Sequence, residues 1–392
     1  MNLRVRDSEP MVELQVSAVM PCLNEEKTLG ACIEKALACF RRSGLVGEVV
    51  VADNGSTDRS LAIAAELGAR VVTERRKGYG SALMAGFAAA RGRIIVLADA
   101  DDSYDWSLLG EFVTKIDEGY DLVMGNRFLG GIATGAMPPL HRYLGNPVLS
   151  TLARVMYGIP IGDFHCGMRA IRKESWARMQ ARTPGMEFAT EMVVNAAHSG
   201  LRIAEIPTPL YPDRRDRPPH LRSFRDGWRH LRFLLTYAPD YLYLAPGFLL
   251  AVVGCIGMAV LAAGPTTVGG LKLGIHFLAL ASLLALLGMN VMGFGVLAKV
   301  LNARRCPLPD GSPVAWLMHH YTLERGLLAG ALLLVIGLAG DGWILAEWLV
   351  RQRGSMEDTV HFAFVASTLC VIGVNLLFGA FLLRMVQEEA VH

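Results

Sequence analysis

The stretch Arg93-Ile-Ile-Val-Leu-Ala-Asp-Ala-Asp-Asp-Ser-Tyr-Asp105 decides the fold of the N-terminal half of the chain. Its apolar, β-forming residues predict a short strand that is buried on both faces, as in a parallel sheet. The run ends in carboxylates, and open α/β sheets bind ligands at the carboxyl ends of such strands. In an extended backbone Asp99 and Asp101 project to the same side, so two oxygen ligands converge as Mg²⁺ or Mn²⁺ requires. A solvated acidic turn is the alternative.

Outward from this stretch, β-like runs alternate with helical stretches between residues 14 and 206, which predicts βαβ units and a parallel sheet. The predicted strands are Val16–Met20, Glu48–Asp53, Arg70–Thr73, Ile94–Ala98, Leu122–Gly125 and Leu201–Ile206. The predicted helices are Glu26–Arg41, Asp58–Leu67, Ser81–Ala90 and Ser107–Glu118. Residues 126–200 show an irregular pattern until a helix opens at Pro184–Glu191.

Polar residues gather where the predicted strands end. After the first strand, Asn24 is a candidate helix cap, and Glu25 falls in the first turn of the helix. The second strand ends in Asp53-Asn-Gly-Ser-Thr-Asp58, whose glycine suits a tight turn. Both loops would lie on the same edge of the sheet as Asp99 and Asp101. This shared edge favours a ligand site over ordinary loop chemistry.

A glycine-rich turn, Arg75-Arg-Lys-Gly-Tyr-Gly-Ser-Ala-Leu83, resembles a dinucleotide fingerprint only in part. Leu83 stands where the third glycine would be, and no acidic residue ends a second strand at the expected distance, so the nicotinamide interpretation is weak. Lys77 at a helix N-terminus instead suits a phosphate or a sugar hydroxyl. A simple turn is the alternative.

Arginines and acids in the irregular region are candidates for a second substrate. Arg127, Arg142 and Arg169 accompany glycine-rich backbone rather than a regular helix face, and guanidinium groups match phosphate bidentately. This favours anion binding. Glu187 and Glu191 fall one turn apart on the helix that follows, and we interpret them as a solvated helix face rather than a direct substrate contact.

Composition points to more than one domain and to a membrane. The chain has 392 residues, a hydrophobic fraction of 52% and a net charge of +2, and it contains no basic block typical of a nucleic-acid motif. The seven cysteines form no CxxC pair, which predicts reduced, mostly buried thiols in a cytoplasmic setting. The polar tail 1–13 lacks the apolar run of a signal peptide.

The last third of the chain predicts four transmembrane helices behind a basic aromatic segment, residues 211–240. That segment carries Arg214, Arg215, Arg217, Arg222, Arg225, Arg229 and Arg232, as expected at anionic head groups. The four apolar runs are 242–263, 273–297, 326–350 and 361–385, each long enough to span about 30 Å. Asp341 in the third run is expected near an interface. Lys299, Arg304, Arg305 and Arg325 in the 298–325 loop predict a cytoplasmic N-terminal domain and C-terminus.

Over roughly residues 14–235 the sequence resembles the polyprenyl-phosphate glycosyltransferases of glycosyltransferase family 2, the group of dolichol-phosphate mannose synthases and undecaprenyl-phosphate glucosyltransferases. The matching motifs are Val19-Met-Pro-Cys-Leu-Asn-Glu-Glu26, Val51-Ala-Asp-Asn-Gly-Ser-Thr-Asp58, Lys77-Gly-Tyr-Gly80, Asp99-Ala-Asp101, Gly125-Asn-Arg127 and Asp163-x-x-Cys-Gly-x-Arg169. The resemblance implies a GT-A (Rossmann-like) α/β catalytic domain over residues 14–210. An all-α transmembrane domain of four helices would follow over residues 241–392.

The resemblance also implies an inverting hexosyl transfer from a nucleotide-sugar to polyprenyl phosphate at the inner (cytoplasmic) membrane, with Mg²⁺ or Mn²⁺. A sugar donor of the UDP-glucose type is preferred, and GDP-mannose stays open as an alternative. Assembly into a homo-oligomer also stays open. The resemblance implies that Pro21, Glu25, Asp53 and Asp99 contact the nucleotide-sugar and that Asp99 and Asp101 hold the metal. The loop pattern adds Asn24 and Lys77 to the predicted nucleotide-sugar residues. The resemblance implies that Arg127 and Arg142 contact the acceptor phosphate, and the arginine pattern adds Arg169. The predicted catalytic residues are Asp101, Arg127, Arg142 and Asp163.

The sequence departs from the family pattern after the acid pair. Asp102 and Ser103 stand where the family often has Leu-Gln, so the third metal ligand is either of them, and Asn54 replaces an acid in the turn after the second strand. Two rival functions stay open. A processive polysaccharide synthase would share the catalytic domain, although its Gln-x-x-Arg-Trp signature is absent, and a non-catalytic membrane binding protein would share the membrane helices.

Overall fold

The computed structural model describes residues 14–214, 223–303, 313–350 and 359–391. The chain divides into two compact units, Met1–Leu234 and Leu235–His392. Some of the predictions above fall on residues outside the described ranges. These are the tail 1–13 and Arg215, Arg217, Arg222, Arg304 and Arg305.

The first unit is built on a mixed sheet of seven strands in the order β3-β2-β1-β4-β6-β5-β7. The strands are β1 Val16–Cys22, β2 Gly47–Asp53, β3 Arg70–Thr73, β4 Ile94–Leu97, β5 Leu122–Asn126, β6 Arg169–Arg172 and β7 Ile203–Pro207. β6 pairs antiparallel with both β4 and β5, while the other pairs are parallel. The six predicted strands are confirmed with shifted ends. The predicted parallel pairing is confirmed for the other strands, whereas β6, which lies in the region that showed no pattern, runs antiparallel to its two neighbours.

Helices connect these strands and cover the sheet. They are α1 Leu29–Ser43, α2 Ser60–Glu66, α3 Tyr79–Ala89, α4 Leu109–Asp117, α5 Arg127–Gly130, α6 Asn146–Tyr157, α7 Lys173–Met179, α8 Phe188–His198 and α9 Ser223–Thr236. Single helical turns lie at Trp106–Leu108 and His141–Gly145. The four predicted helices are confirmed as α1 to α4, whereas α5, α6 and α7 were not predicted.

The strand that opens the acid-rich stretch lies at the centre of the core. Ile94, Ile95 and Val96 of β4 are all 0% exposed, and β4 lies between β1 and β6. Because side chains alternate between the two faces of a strand, burial of every residue means that both faces are covered. The uninterrupted apolar run therefore reflects a central strand, and it fixes the acid pair at the edge where this strand ends.

The second unit consists mainly of long helices. They are α10 Ala245–Leu261, α11 Ile275–Asn302, α12 Pro313–His320, α13 Leu323–Val350 and α14 Val360–Val391, with a hairpin of β8 Thr266–Val268 and β9 Leu271–Leu273. Four spans have the length and hydropathy to cross a membrane, namely Asp240–Leu261, Ile275–Asn302, Leu323–Val350 and Val360–Glu388. The four predicted transmembrane helices are thus confirmed.

Asp341 lies within α13 and has a polar partner on α14. α13 continues from Asp341 to Val350, about 14 Å at 1.5 Å per residue, so the carboxylate is not near the end of the helix. Ser367 of α14 donates a hydrogen bond to it at 3.4 Å. A polar partner on the neighbouring helix accompanies this acid, as is usual for ionisable groups within membrane helices.

Close packing of α10 against α11 gives a first prediction. A Cβ atom on Gly288 would lie 2.2 Å from the backbone nitrogen of Ala251 and 2.6 Å from the carbonyl oxygen of Gly247. Gly288→Val should therefore separate the two helices and lower the thermal midpoint in detergent, because overpacking typically costs about 1–3 kcal/mol. Gly293→Val on the same helix is the control, since a Cβ there meets no atom within 4 Å. Equal midpoints for the two variants would contradict this packing.

Candidate functional site

The acid loop, residues 99–103, follows β4 and is packed rather than solvated. Asp101, Asp102 and Ser103 are only 5%, 4% and 8% exposed. The backbone N–H and the hydroxyl of Ser103 both donate to Oδ1 of Asp101, at 3.0 and 2.5 Å. These bonds close a tight turn that fixes the Asp101 carboxylate. The alternative of a solvated acidic turn is therefore wrong.

The loop after β1 contacts the acid loop. Thr28 Oγ1 donates to the carbonyl oxygen of Ala100 at 2.7 Å, and it lies 3.4 Å from Oε2 of the buried Glu25. Asn24 does not cap α1, because the helix begins at Leu29 with Thr28 at its cap position. Instead, Oδ1 of Asn24 accepts a bond from the backbone N–H of Thr57 at 2.7 Å, which ties this loop to the one after β2.

The loops after β2 and β3 carry the remaining residues that are predicted to bind the nucleotide-sugar. The Asp53 carboxylate, 1% exposed, accepts bonds from the backbone N–H groups of Gly55 and Ser56 at 3.0 Å each. The Lys77 ammonium donates to the Asn54 carbonyl oxygen, and the Gly78 N–H donates to Asn54 Oδ1, both at 2.7 Å. Asn54, which departs from the family pattern, therefore joins these two loops.

Arg127 directly follows β5, Leu122–Asn126, and forms a buried ion pair. Its Nε and Nη2 donate to Oδ2 and Oδ1 of Asp163 at 2.6 and 2.8 Å, and the two residues are 8% and 0% exposed. Burial acts to lower the pKa of Arg127, but Tyr104 and Asp163 outweigh it and raise that pKa. Arg127 is thus a fixed cation. Because both Asp163 oxygens bond to Arg127, the structure favours holding this arginine over acting as a base.

Gly167 brings the two sides of the site together. Its backbone N–H donates to the Tyr104 hydroxyl at 2.8 Å, and a Cβ at this position would lie 2.9 Å from Oδ2 of Asp99. The loop that carries Asp163 therefore packs directly against the acid loop. The predicted metal residues and the Arg127–Asp163 pair consequently lie on touching loops at one edge of the sheet.

The other two predicted arginines differ from Arg127. Arg169 is 1% exposed and donates to the carbonyl oxygens of Phe164, Cys166 and Ala189, so it holds backbone together and the acceptor-phosphate prediction does not suit it. Arg142 is half-buried in the turn His141–Gly145, with its guanidinium 5.6 Å from the Tyr143 ring centroid. Arg142 remains a predicted phosphate contact.

The two glutamates at the start of α8 do not form a solvated face. Glu191 is 3% exposed and accepts bonds from the backbone N–H groups of Arg182 and Thr183 at 3.0 and 2.7 Å. Oε2 of Glu187 is buried without a hydrogen-bond partner in the described part of the chain. The solvated interpretation is therefore wrong, because the loop before α8 folds back over these carboxylates.

The carboxylates of Asp99 and Asp101 suit a divalent cation whose remaining ligands come from water and the substrate. Among the described residues, no three His, Cys, Asp or Glu side chains come together as a metal site. Mg²⁺ is, however, commonly bound by one or two carboxylates together with waters and substrate phosphates, which is what Asp99 and Asp101 can provide. Neither candidate third ligand is favoured, because Ser103 Oγ bonds to Asp101 and Asp102 bonds to Lys35 at 2.5 Å.

Buried thiols near the site are not its nucleophiles. Burial raises the pKa of Cys22 to about 11 and the pKa values of Cys32 and Cys166 to about 12, so these thiols stay protonated at neutral pH. Cys306 lies outside the described residues. The cysteines in the sheet unit therefore behave as small buried side chains, as the sequence predicts.

Two histidines, which sequence reasoning did not select, meet behind the Arg127–Asp163 pair. The rings of His165 and His230 are 4.7 Å apart, and His230 Nδ1 lies 2.7 Å from Thr190 Oγ1. Burial lowers the pKa of His230 to about 4 and lowers that of His165 well below its usual value. No motif marks these residues, because their contact depends on how α9 packs against the loop that carries Asp163.

These lowered pKa values predict acid sensitivity. The unfolded chain takes up protons on both histidines as pH falls below about 6.5, whereas the folded protein does not until pH approaches 4. The unfolding free energy should therefore decrease over this window. Denaturant melts at several pH values should show a shallower decrease for His230→Gln. The exposed His319→Gln should retain the full decrease, and an equal slope in both variants would contradict the burial of His230.

Comparison with known proteins agrees with this geometry. The family model of Glycosyl transferase family 2 matches residues 17–179, and that of the Glycosyltransferase family 2 C-terminal transmembrane region matches residues 296–387. The low-salt glycan biosynthesis hexosyltransferase Agl6 of Haloferax volcanii is 40% identical over 376 residues, which cover 95% of this chain and 89% of that protein.

Two further relatives have names that mention a polyprenyl phosphate. The dolichyl-phosphate hexose transferase of Haloferax volcanii is 35% identical over 194 residues, 50% of this chain and 82% of that protein. The undecaprenyl-phosphate 4-deoxy-4-formamido-L-arabinose transferase of Pectobacterium atrosepticum is 32% identical over 165 residues, 40% of this chain and 49% of that protein. With its GT-A sheet and four helices that are long and apolar enough to cross a membrane, the chain belongs to glycosyltransferase family 2.

Proposed function

We propose that the protein transfers one hexose from a nucleotide-sugar, of the UDP-glucose type, to polyprenyl phosphate with inversion at the anomeric carbon. The observation that carries this proposal is the contact between the acid loop and the loop of Asp163, which sets a fixed arginine beside a pair of carboxylates. A cation for an acceptor phosphate and a metal-binding pair for a diphosphate are the two requirements of this reaction.

The side chains present suit a displacement that needs no general base. A lipid monophosphate is already an anion at neutral pH, so it can attack the anomeric carbon directly, and Asp163 is left to orient Arg127. Arg127 and Arg142 would hold the acceptor phosphate, while the loops of Glu25, Asp53 and Lys77 would hold the nucleotide. Bound Mg²⁺ or Mn²⁺, held by Asp99 and Asp101, would supply Lewis-acid stabilisation of the leaving diphosphate.

The surface of α9 supports a reaction at the membrane. Phe224 and Trp228 lie one turn apart and are 84% and 59% exposed, whereas His230 and Phe233 are 7% exposed and face the protein. A helix with one buried side and one aromatic, arginine-bearing side is typical of the membrane interface. We place this face on the cytoplasmic surface of the inner membrane, following the positive charge of the 298–325 loop. Part of that charge, on Lys299, is paired with Asp240 at 2.6 Å.

The proposal is tested with a panel of radiolabelled nucleotide-sugars. Proteoliposomes that contain the protein, undecaprenyl phosphate and Mn²⁺ are incubated with each donor, and the lipid is extracted. One donor should yield a lipid that carries a single sugar, with the anomeric configuration inverted by NMR. A polymer would indicate a processive synthase, and a protein that transfers no sugar from any donor would be a binding protein.

A further inference from the structure

Asp102 adopts a backbone conformation that is unusual for a residue other than glycine. Its φ angle is +61°, in the left-handed region, where asparagine and aspartate are tolerated better than most residues. Backbone strain of this kind is found mainly where the surrounding structure imposes it, often at functional sites. Here it closes the turn in which Ser103 bonds to Oδ1 of Asp101.

The Asp102 carboxylate is buried and bonded to α1. Its side chain is 1% exposed, and Oδ1 lies 2.5 Å from Nζ of Lys35, whose own side chain is 38% exposed. Arg214 approaches the second oxygen at 3.5 Å, but its side chain is 75% exposed, so this pair contributes little. The Lys35 ion pair is therefore the principal partner of this carboxylate.

The acid loop is also held by the chain that follows β7. The backbone N–H of Tyr211 donates to the Ser103 carbonyl oxygen at 3.0 Å, and that of Arg214 donates to the Asp101 carbonyl oxygen at 3.4 Å. Together with Thr28, which donates to Ala100, these bonds fix the loop from two sides. Of the two ion pairs described for Asp102, the Lys35–Asp102 pair is the shorter and the less exposed one.

We propose that Asp102 is a positioning residue, which holds the acid loop through Lys35 so that Asp99 and Asp101 present their carboxylates to a metal–nucleoside diphosphate complex. This inference rests on the proposed function. It removes Asp102 from the two candidates for the third metal ligand. Residues that orient metal ligands typically contribute 10- to 100-fold to metal affinity.

The test compares Asp102→Asn, Lys35→Met and their double variant in the full-length protein. Asparagine tolerates the left-handed conformation, so Asp102→Asn removes the charge without a new backbone cost. Mn²⁺ binding in the presence of UDP, and separately of GDP, is measured by electron paramagnetic resonance, alongside the thermal midpoint. Lys35→Arg is the conservative variant, and Asp117→Asn, which breaks the exposed Arg93–Asp117 pair, is the matched control.

Both single variants should bind Mn²⁺–nucleotide at least about tenfold more weakly, and the double variant should be no weaker than either, because one shared interaction is lost. Lys35→Arg should regain most of the affinity, and Asp117→Asn should match the wild type. Weaker binding by Asp102→Asn with unchanged or tighter binding by Lys35→Met would make Asp102 a metal ligand and overturn the proposal. Unchanged binding in both variants would overturn it as well.

The same titration separates this inference from the proposed function. If the wild-type protein fails to bind Mn²⁺ both in the presence of UDP and in the presence of GDP, the proposed function is overturned, and the inference with it. Wild-type protein that binds the complex, with variants that lose only thermal stability, leaves the function standing and overturns the role of Asp102.

Discussion

Asp101→Asn is expected to reduce sugar transfer at least about a hundredfold while the protein stays folded. A metal that stabilises a leaving diphosphate contributes several kcal/mol to the transition state, and each 1.4 kcal/mol is a factor of ten in rate. Asparagine retains the Oδ1 atom that accepts both bonds from Ser103, so the turn survives while the charge is lost. Initial rates of labelled-sugar transfer at saturating Mn²⁺, with thermal melts, provide the measurement.

Asp105→Asn is the matched control in the same stretch of sequence. Asp105 accepts a bond from the backbone N–H of Ser107 at 2.9 Å, and asparagine preserves this helix cap. Transfer by Asp105→Asn should remain close to that of the wild type. Full activity in Asp101→Asn would remove Asp101 from the metal site, whatever the control shows.

Replacement of Arg127 is expected to have the second large effect. Arg127→Met leaves the Asp163 carboxylate buried without its bidentate partner, and breaking a buried pair in this way costs about 3–5 kcal/mol. The double variant Arg127→Met with Asp163→Leu removes both charges, so it should regain much of the lost stability. It should nevertheless remain inactive, because the proposed acceptor-phosphate cation is gone.

Thermal melts and transfer rates together show whether the Arg127–Asp163 pair only stabilises the fold or also binds the acceptor phosphate. Arg70 and Glu48 form a bidentate pair elsewhere in the sheet, at 2.7 Å, and Arg70→Met is the control: it should lose some stability and keep its Michaelis constant for polyprenyl phosphate. Arg127→Lys, which keeps the charge but loses the fork geometry, should raise that constant. A double Arg127–Asp163 variant with wild-type transfer would show that the pair is structural only.

The sequence predicts the fold where the apolar pattern is long and continuous. β4, Ile94–Leu97, is found because burial on both of its faces leaves no polar residue in the run. β6 is missed because it has only four residues, Arg-Ala-Ile-Arg, and the arginines at its ends look like surface residues. Arg169 is buried only because three carbonyl oxygens converge on it, and this convergence comes from tertiary structure.

The candidate site shows the same division. The acid pair and the polar loops follow from strand ends, and the structure does bring them to one edge. The cap prediction for Asn24 fails because the loop continues to Thr28, which leaves Asn24 to bond across to Thr57. The orientation of Asp102 was also beyond prediction. It depends on the left-handed backbone of Asp102 itself and on Lys35, which lies 67 positions away in sequence.

The most direct test of the proposed function is the stoichiometry of its products. Purified protein in liposomes with undecaprenyl phosphate, Mn²⁺ and its preferred nucleotide-sugar should release one nucleoside diphosphate for each lipid-linked hexose, with the lipid mass measured by mass spectrometry. Asp101→Asn, in parallel, should form neither product. Release of nucleotide without a glycosylated lipid, or a lipid that carries many sugars, would contradict a single transfer to polyprenyl phosphate.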